Sequence, residues 1–404
     1  MRDDAIRVVV DVGSARIRVT MACLDDDTPL EILASCFSVA APLKKGVISD
    51  LAQVSEAVHE ALMAAEAEAS FNIKSVTLAV GGGDVLAVNS DAVVAVKSGV
   101  IRASDVSEAI AAARAAVEKH DYHILHILPQ QYIVDEHEGI EDPVGMAADR
   151  LEARVHVIAV KRTTLENLKK CVENAGVAVK EVIFSGLAGC EAALTDDERD
   201  MGVCLVDIGA GTTEIMLWRN FQPVHSAVLK IGGEMVSSDI AMVLKTPRPF
   251  AEMLKCQHGA VRQAMIKAGE VSLPSTGHRQ ARSVSSREIV DIMATRYEEL
   301  FEMLEQELHR AGLRHLFDGG IVLTGGASQT PGLAEMAGDY FHVPARIAKP
   351  QVIAGMPEHI QHDPGMMVSL GLVQLDYAPL EDHVWAKPVK NGILARIKEL
   401  FSRF

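Results

Sequence analysis

The sequence lacks the long apolar runs and the paired cysteines that mark several large classes of protein. Its 404 residues contain no uninterrupted run of about 18 apolar residues, so we predict no transmembrane helix. Acidic residues lie on both sides of the first apolar run, and no small-residue cleavage pattern follows it, which argues against a signal peptide. The six cysteines stand singly, with no CxxC pair and no metal-binding spacing, which is typical of buried thiols in a reducing cytoplasm.

Positive charge is also scarce. The 39 lysine and arginine residues stand against 55 aspartate and glutamate residues, which gives a formal net charge of −16. This balance disfavours non-specific binding to nucleic acid or to anionic lipid over the whole surface. We therefore predict no nucleic-acid partner, and any membrane contact must come from a local basic segment. A chain of 404 residues is too long for one compact core, so two or more domains are expected.

One sequence pattern occurs twice. Residues 6–13 read IRVVVDVG and residues 202–209 read GVCLVDIG, so that each is an apolar run ending in Asp-x-Gly. Each run is followed by a second apolar strand, at 17–21 and at 215–218. Two similar hairpins half a chain apart predict two related domains that face each other, although a chance similarity between two hairpins is an alternative.

The rest of the chain alternates predicted strands and helices, such as a helix over 51–69, and this predicts an α/β fold with mainly covered sheets. Two stretches interrupt the alternation. Residues 84–160 combine strands with an Ala-rich helix, 104–118, for which Ser104 is the expected N-cap, and we interpret them as an inserted α+β subdomain. Residues 247–318 begin at a proline-containing turn and form a second predicted insertion.

Glycine-rich turns follow the two repeated strands. The first turn begins with Gly13 and Ser14, and the second, at 209–213, reads GAGTT. Glycine lets such a backbone approach a ligand closely, so that its N–H groups can face a phosphate. Asp11 and Asp207, at the ends of the two strands, suit a hydrated Mg²⁺ held by carboxylates, water and nucleotide phosphates. Neither turn is a P-loop, because the GxxxxGK motif is absent.

Two further glycine pairs follow apolar strands. Gly232 and Gly233 open a predicted helix, while Gly325 and Gly326 stand before Ala327. Each pair taken singly is most often an ordinary turn. All four turns occur in the order expected for a nucleotide held between two domains, so together they predict a nucleotide site.

A resemblance to a known family is carried by four stretches: ILHILPQQYIVDEHEGIEDPVGM (124–146), GVCLVDIGAGTTEIM (202–216), SSDIAMVLKTPRPFAEMLK (237–255) and GIVLTGGASQTPGL (320–333). On these stretches the sequence resembles the bacterial cell-division FtsA proteins, within the superfamily of actin, heat-shock chaperone and sugar-kinase ATPases. The resemblance runs almost end to end. It implies an actin-like fold of two domains with duplicated ribonuclease-H-like sheets and one insertion in each domain.

The resemblance also implies a division of the chain into parts. These are subdomain 1A (1–83 and 161–194), the inserted subdomain 1C (84–160), subdomain 2A (195–246 and 319–380), subdomain 2B (247–318), a linker (381–391) and an amphipathic membrane-targeting helix (392–404).

ATP and Mg²⁺ are the implied ligands of the crevice between the two domains. The residues that resemble the family's ATP contacts are Gly13, Ser14, Arg16, Gly209, Gly211, Thr212, Thr213, Gly232, Gly233, Glu252, Lys255, Gly325, Gly326 and Ala327. Asp11 and Asp207 would reach Mg²⁺ through water. Glu252 and Lys255 lie three apart on one predicted helix face, where a plain surface ion pair is the alternative.

Two positions depart from the family pattern. The residue after the pair of threonines is usually aspartate and is Glu214 here. The segment that supplies a water-orienting glutamine in actins reads FSGL at 184–187, without glutamine, glutamate or histidine. Hydrolysis needs a group within hydrogen-bond reach of the attacking water. We therefore predict slow or negligible ATP turnover and assign no catalytic residue.

The last residues of the chain carry an amphipathic pattern. An apolar stripe at helical spacing consists of Ile393, Leu394, Ile397, Leu400, Phe401 and Phe404. The basic residues beside it are Arg396, Lys398 and Arg403. This combination is typical of a helix that lies in a membrane interface without spanning it, although a helix docked on its own domain is the alternative. In the family this segment is the membrane anchor, which implies the cytoplasmic face of the inner membrane at the division septum.

The resemblance implies protein partners as well. In the FtsA family, subdomain 2B binds the C-terminal tail of the tubulin-like protein FtsZ; Arg296 lies in the stretch that resembles this contact and would meet an acidic tail, although a solvated helix face is the alternative. Further implied partners are other copies of the chain in a filament, membrane lipid and later division proteins. Two other functions stay open: an actin-like pilus-assembly scaffold, and an enzyme of the sugar-kinase branch, for which we can place no catalytic carboxylate.

Overall fold

The computed structural model describes residues 5–25, 28–39, 43–44, 46–266, 269–274, 281–313 and 315–375. This part of the chain divides into two units. The larger unit contains Glu118–Leu125, Ile158–Leu375 and the described part of Met1–Asn89, and the smaller unit contains Ser90–Val117 and His126–Val157. The predicted linker 381–391 and the predicted helix 392–404, with all of its membrane residues, lie outside the described residues.

The first elements of the larger unit include four strands of a five-stranded sheet, a separate two-stranded sheet and a helix. They are β1 (Ile6–Val12), β2 (Arg16–Asp25), β3 (Thr28–Val39), the short strands β4 (Leu43–Lys44) and β5 (Val47–Ile48), α1 (Leu51–Ala69) and β6 (Ser75–Val80). Helix α1 has its predicted bounds and begins after Asp50, whose carboxylate accepts a hydrogen bond from the Gln53 N–H. Strands β1, β2 and β3 pair antiparallel in succession, and β6 pairs parallel to β1.

The next elements build a second, four-stranded sheet. They are β7 (Val85–Ala95), α2 (Ala103–Val117), β8 (Tyr122–Val134), β9 (His137–Ile140) and β10 (Arg150–Lys161), and the strand order is β7-β10-β8-β9. Helix α2 begins at Ala103, so Ser104 lies in its first turn and the predicted N-cap is wrong. The start of the helix is instead stabilised by Asp105, whose carboxylate accepts a hydrogen bond from the Arg102 N–H over 2.7 Å.

The chain then completes the first sheet and forms a third sheet with its covering helices. The remaining elements are α3 (Arg162–Asn174), β11 (Ala178–Phe184), α4 (Ser185–Ala193), α5 (Asp196–Met201), β12 (Val203–Ile208), β13 (Thr213–Arg219), β14 (Gln222–Leu229), α6 (Gly233–Val243), α7 (Arg248–His258), β15 (Glu270–Leu273), β16 (Arg282–Ser285), α8 (Ser286–Arg310), β17 (Ile321–Thr324), α9 (Leu333–Phe341), β18 (Ala345–Ile347) and α10 (Met367–Gln374). Within the described ranges, no helix has both the length and the apolar content needed to cross a bilayer.

The first and third sheets have the same topology, and we call the parts of the larger unit built on them the first half and the second half. Their strand orders are β11-β6-β1-β2-β3 and β14-β13-β12-β17-β18. In the second half β17 pairs parallel to β12, as β6 pairs parallel to β1 in the first. Each half has its own cluster of buried apolar side chains. The duplication predicted from the two Asp-x-Gly hairpins is therefore confirmed.

Helix α4 connects the two halves. It follows β11 of the first sheet directly and contacts β12 and β13 of the third sheet. It also packs closely on α10, because a side chain at Gly371 would overlap the Ala188 carbonyl. The first residues of α4 therefore lie where both halves meet.

Candidate functional site

The two predicted phosphate turns have the same backbone geometry. Between β1 and β2, the Gly13 N–H donates to the Arg16 carbonyl over 3.1 Å, and between β12 and β13 the Gly209 N–H donates to the Thr212 carbonyl over 2.9 Å. A Cβ atom at Gly13 would lie 2.9 Å from the Arg16 oxygen, and one at Gly209 would lie 3.1 Å from the Thr212 oxygen. Glycine therefore suits the start of both turns, because a side chain there would crowd the closing carbonyl.

The second turn is supported by the start of α6. The Gly233 N–H donates to the Gly209 carbonyl and the Glu234 N–H donates to the Ala210 carbonyl, each over 2.9 Å. A Cβ atom at Gly232 would lie 2.6 Å from the Ala210 oxygen and 2.7 Å from the Gly209 oxygen. Helix α6 can approach the turn this closely only because residue 232 has no side chain. The turn and the Gly232-Gly233 pair therefore form one surface of glycine backbone, which we call the glycine wall.

The hydroxyl groups near the turns are not equivalent. Thr213 is fully buried and its hydroxyl donates to the Ile231 carbonyl over 2.8 Å, so its proton is already used. Gly211 is also buried, whereas Thr212 and Ser14 are partly exposed. Of the predicted hydroxyl contacts, Ser14 and Thr212 are therefore the two that can reach a ligand.

Glu252 and Lys255 lie on α7 and face the start of α6. Lys255 Nζ donates to Glu252 Oε2 over 2.7 Å and to the Gly233 carbonyl over 3.1 Å, and the Ser237 hydroxyl donates to the same carboxylate. The Lys255 side chain is only 14% exposed while the Glu252 side chain is 50% exposed, so the pair is buried at its lysine end and open to solvent at its carboxylate end. Burial alone would raise the pKa of Glu252, but the hydrogen bonds from Lys255 and Ser237 outweigh it and lower the pKa. Glu252 is therefore an anchored anion beside the glycine wall.

Charged side chains gather where β1 and β12 end. Arg18 Nη1 lies 3.8 Å from the Asp11 carboxylate, and Arg18 Nη2 lies 3.9 Å from the Asp363 carboxylate. Gly325 has φ +84°, and a Cβ atom there would overlap the Asp207 carboxylate. The Gly325 turn therefore packs directly on Asp207, and Arg18 and Asp363 join the site although the sequence pattern did not single them out.

The carboxylates of this group are short of positive charge. Burial, then the charges of Glu214 and Asp11, raise the pKa of Asp207 to about 8, although Arg18 opposes them. Burial also raises the pKa of Asp11. A divalent cation would supply the missing charge, so the residues present fit Mg²⁺. In the described part of the chain no three His, Cys, Asp or Glu side chains are grouped to hold a metal by themselves, so water and nucleotide phosphates would complete the coordination.

The pKa of Asp207 predicts that the stability of the nucleotide-free protein depends on pH. This pKa is raised from its usual 3.8 to about 8, so the folded chain holds the proton more tightly than the unfolded chain. The resulting stabilisation is complete below about pH 4 and is lost as the pH rises through about 8, so we expect the free energy of unfolding to fall by about 2–3 kcal/mol between pH 6 and 9. Calorimetry should show that Asp207→Asn reduces the fall, of which Glu214 keeps its own share because its pKa is also raised, whereas the exposed Asp200→Asn leaves the fall unchanged. An Asp207→Asn protein with the wild-type pH dependence would contradict the assignment.

Glu214 reaches the turn at which the sequence shows no group able to orient water. Its carboxylate accepts hydrogen bonds from the Gly82 N–H over 3.0 Å and from the Ser185 hydroxyl over 2.7 Å. Burial raises the pKa of Glu214 to about 7, although these hydrogen bonds favour the charged form. The sequence did not reveal this contact, because Glu214 lies on β13 while Ser185 belongs to the segment 184–187. Both carboxylate oxygens of Glu214 already accept hydrogen bonds from the protein. The prediction of slow ATP turnover therefore depends on these bonds keeping the carboxylate away from the attacking water.

The remaining predicted residues lie in three places. A Cβ atom at Gly326 would meet no described heavy atom within 4 Å, and Ala327 lies against the start of α6. The Arg16 guanidinium lies over the Phe37 ring at 4.7 Å, at the end of the first turn. Arg296 lies apart from the turns, in a groove between α6 and α8.

Family comparisons identify similar proteins over most of the chain. Residues 204–371 match the family model "Cell division protein FtsA", and residues 82–159 match "SHS2 domain inserted in FTSA". FtsA of Pseudomonas aeruginosa is 34% identical over 356 residues, which cover 88% of this chain and 85% of that protein. FtsA of Escherichia coli is 33% identical over 379 residues, which cover 92% of this chain and 90% of that protein.

Solved structures share the fold at low sequence identity. The PilM-PilN type IV pilus biogenesis complex superposes with a TM-score of 0.67 at 18% identity, over 91% of this chain and 97% of that chain. MreB5 of Spiroplasma citri, in a structure bound to ADP, superposes with a TM-score of 0.56 at 14% identity, over 92% and 95%. The predicted actin-like fold is thereby confirmed, while the predicted subdomain boundaries stay predictions.

Proposed function

We propose that this chain, which belongs to the FtsA family of cell-division proteins, binds ATP and Mg²⁺ between its two halves and links the FtsZ ring to the membrane. Its role in cell division is that of an FtsA-type, actin-like protein. The observation that carries the nucleotide proposal is the pair of matching glycine turns that follow Asp11 and Asp207. Titration of the purified chain with ATP and Mg²⁺ tests it, and absence of binding at millimolar nucleotide would reject it.

The phosphates are proposed to lie between the two turns. The first glycine N–H closes each turn, so the N–H groups of the next residues, Ser14, Ala210 and Gly211, are left for phosphate oxygens. The hydroxyls of Ser14 and Thr212 supply further donors. When bound, Mg²⁺ would neutralise the phosphates and the two strand-end aspartates together.

The nucleoside is proposed to lie against the glycine wall. The anchored Glu252 carboxylate can accept hydrogen bonds from ribose hydroxyls. The Lys255 ammonium makes two hydrogen bonds and has a third donor left for the nucleotide. The open space at Gly326, next to Ala327, is the proposed adenine position.

The groove between α6 and α8 is the proposed docking site for the FtsZ tail. Its lining comprises Asp239, Met242, Val243, Glu288, Asp291, Ile292, Thr295, Arg296 and Glu299. Met242 and Val243 are 69% and 51% exposed, which is unusual for large apolar side chains and offers contact area to a peptide.

Arg296 is already paired within this groove. Its Nε lies 2.5 Å from the Asp239 carboxylate, and its Nη1 contacts Glu299. An acidic group of the tail would therefore have to compete with these carboxylates for the guanidinium.

Arg296→Glu is expected to weaken binding of an FtsZ C-terminal peptide at least about tenfold, because it removes the cation and leaves Asp239 and Glu299 without it. Fluorescence anisotropy with a labelled peptide measures the change. Arg310→Glu is the matched control, because Arg310 also pairs with a glutamate on α8, Glu307, but lies outside the groove. Equal peptide affinity for wild type and Arg296→Glu would remove Arg296 from the site.

Membrane attachment is proposed for residues 392–404, and the support is their sequence pattern. A single interfacial helix binds lipid weakly and reversibly. Many copies joined in an actin-like filament would raise the effective concentration of each anchor. In this proposal ATP acts as an assembly ligand with slow turnover at the cytoplasmic face of the inner membrane, at the septum, and residues 84–160 recruit later division proteins.

A role as a pilus-assembly scaffold is the second candidate. The likeness to the PilM-PilN complex favours it, but at 18% identity that likeness extends to the fold alone. Cosedimentation with FtsZ and liposomes together separates the two roles, because the basic amphipathic terminus is explained only by the cell-division role.

A further inference from the structure

The two departures from the family pattern, Glu214 and the segment 184–187, are in direct contact through Ser185. Glu214 follows the second phosphate turn at the start of β13, and Ser185 is the first residue of α4. The Ser185 hydroxyl, which also lies 3.1 Å from the Val80 carbonyl, donates to Glu214 Oε2 over the shorter distance of 2.7 Å, and the Gly82 N–H donates to Oε1 over 3.0 Å. Both side chains are buried. The two departures are therefore one interaction, and it joins the second half to the first.

The Glu214 carboxylate contacts the first half at the triple-glycine turn formed by residues 81–83, which follows β6. A Cβ atom at Gly81 would overlap Glu214 Oε1 and the Ser185 hydroxyl. A Cβ atom at Gly83 would lie 2.5 Å from Cε of Lys230, which follows β14. Glycine at 81 and 83 leaves room for two side chains of the second half, whereas Gly82 has φ +94° and lies against Gly46 of the first half.

Glutamate has the reach that this contact needs. The strand register places Glu214 opposite Asp207, so both side chains leave the sheet on the same face. Aspartate at this position would draw the carboxylate back by about 1.5 Å, the length of one C–C bond. Both hydrogen bonds would then exceed normal lengths. The longer side chain at 214 and the short side chain at 185 therefore fit each other.

Glu214 is linked to the second phosphate turn through the backbone and through hydrogen bonds. Glu214 comes directly after Thr213, whose hydroxyl is fixed to the Ile231 carbonyl. The turn itself is bonded to Gly233 at the start of α6. Turn, helix start and Glu214 are therefore bonded to one another, and the contact with Gly82 holds them against the first half.

We propose that Glu214, Ser185 and the turn at 81–83 form an interdomain latch that sets the separation of the two phosphate turns and slows the escape of bound nucleotide. The inference rests on the proposed ATP site. Glu214 is a positioning residue here, because it acts through the turn that precedes it. Hydrogen bonds to a buried carboxylate are among the stronger ones, so loss of one should speed the opening of the halves.

Release of a fluorescent ATP analogue from the full chain, followed by stopped flow with Mg²⁺ present, tests the latch. Ser185→Ala removes the hydroxyl, and Glu214→Asp keeps the charge but shortens the reach. We expect each to raise the dissociation rate constant at least about fivefold, and the double variant to exceed the larger single effect less than about twofold, because both changes break one contact. Ser38→Ala is the matched control, since it removes a buried hydroxyl that donates to the Ala57 carbonyl within the first half, over 2.6 Å.

Wild-type release from both single variants, or a double variant whose effect is the product of the two single effects, would overturn the latch. A nucleotide-free readout separates this result from failure of the ATP site. Hydrogen exchange at the Gly82 amide should become about tenfold faster in Ser185→Ala and Glu214→Asp and not in Ser38→Ala. A chain that binds no ATP but shows this change would lose the proposed nucleotide function and keep the latch; unchanged exchange would reject the latch itself.

Discussion

Deletion of residues 392–404 is expected to reduce cosedimentation with anionic liposomes to background while ATP affinity stays at the wild-type value. The segment carries the apolar stripe and three basic residues in a chain with a formal charge of −16, so the remaining surface repels an anionic membrane. The proposed nucleotide contacts all lie elsewhere in the chain. Cosedimentation with vesicles that contain an anionic phospholipid, together with calorimetric titration of ATP, measures both quantities. Undiminished liposome binding after the deletion would contradict the anchor.

Two substitutions separate the apolar stripe from general changes of charge in this segment. Ile397→Glu places a carboxylate on the stripe and should act nearly as strongly as the deletion. Glu399→Gln removes a carboxylate from the opposite face and should keep or strengthen binding. A loss of binding in Ile397→Glu no larger than the gain in Glu399→Gln would indicate that charge alone, rather than burial of the apolar face, governs attachment, because the two substitutions change the charge by the same amount in opposite directions.

Gly326→Val is expected to lower ATP affinity at least about tenfold, which corresponds to about 1.4 kcal/mol, without lowering the thermal stability of the nucleotide-free chain. A Cβ atom at Gly326 meets no described heavy atom within 4 Å, so a side chain there begins in open space and enters the position proposed for adenine. Calorimetric titration and thermal unfolding measure the two effects.

The neighbouring glycine provides the contrast. Gly325 has φ +84°, and a Cβ atom there would overlap the Asp207 carboxylate and the Ile208 carbonyl. Gly325→Val should therefore destabilise the fold itself, by about 1–3 kcal/mol or more. If Gly326→Val bound ATP as tightly as the wild type, adenine would have to lie elsewhere.

Local signals in the sequence predicted the parts of the molecule that depend on short segments. The Asp-x-Gly hairpins at Asp11 and Asp207 were recognisable because an apolar run, a strand-end carboxylate and a glycine turn all lie within a few residues. The bounds of α1 followed from its helical pattern, and the structure adds Asp50 as the residue that caps its start. The N-cap at Ser104 was predicted wrongly because Ser and Asp residues compete for the start of α2, and the Asp105 carboxylate makes the stabilising bond.

Contacts between distant segments could not be predicted in the same way. Glu214 reaches Ser185 only after both halves have folded and met, so the two departures looked unrelated in the sequence. Arg296 looked like an exposed cation, whereas its partner Asp239 comes from another helix. In both cases the missing information was which side chain the tertiary fold brings to a given surface.

A crystal structure of the full chain with ATP and Mg²⁺ tests the central claim most directly. We expect the phosphates between Ser14 and Thr212, with Mg²⁺ linked through water to Asp11 and Asp207. Nucleotide density at any other place, or two turns that make no contact with the phosphates, would contradict the account.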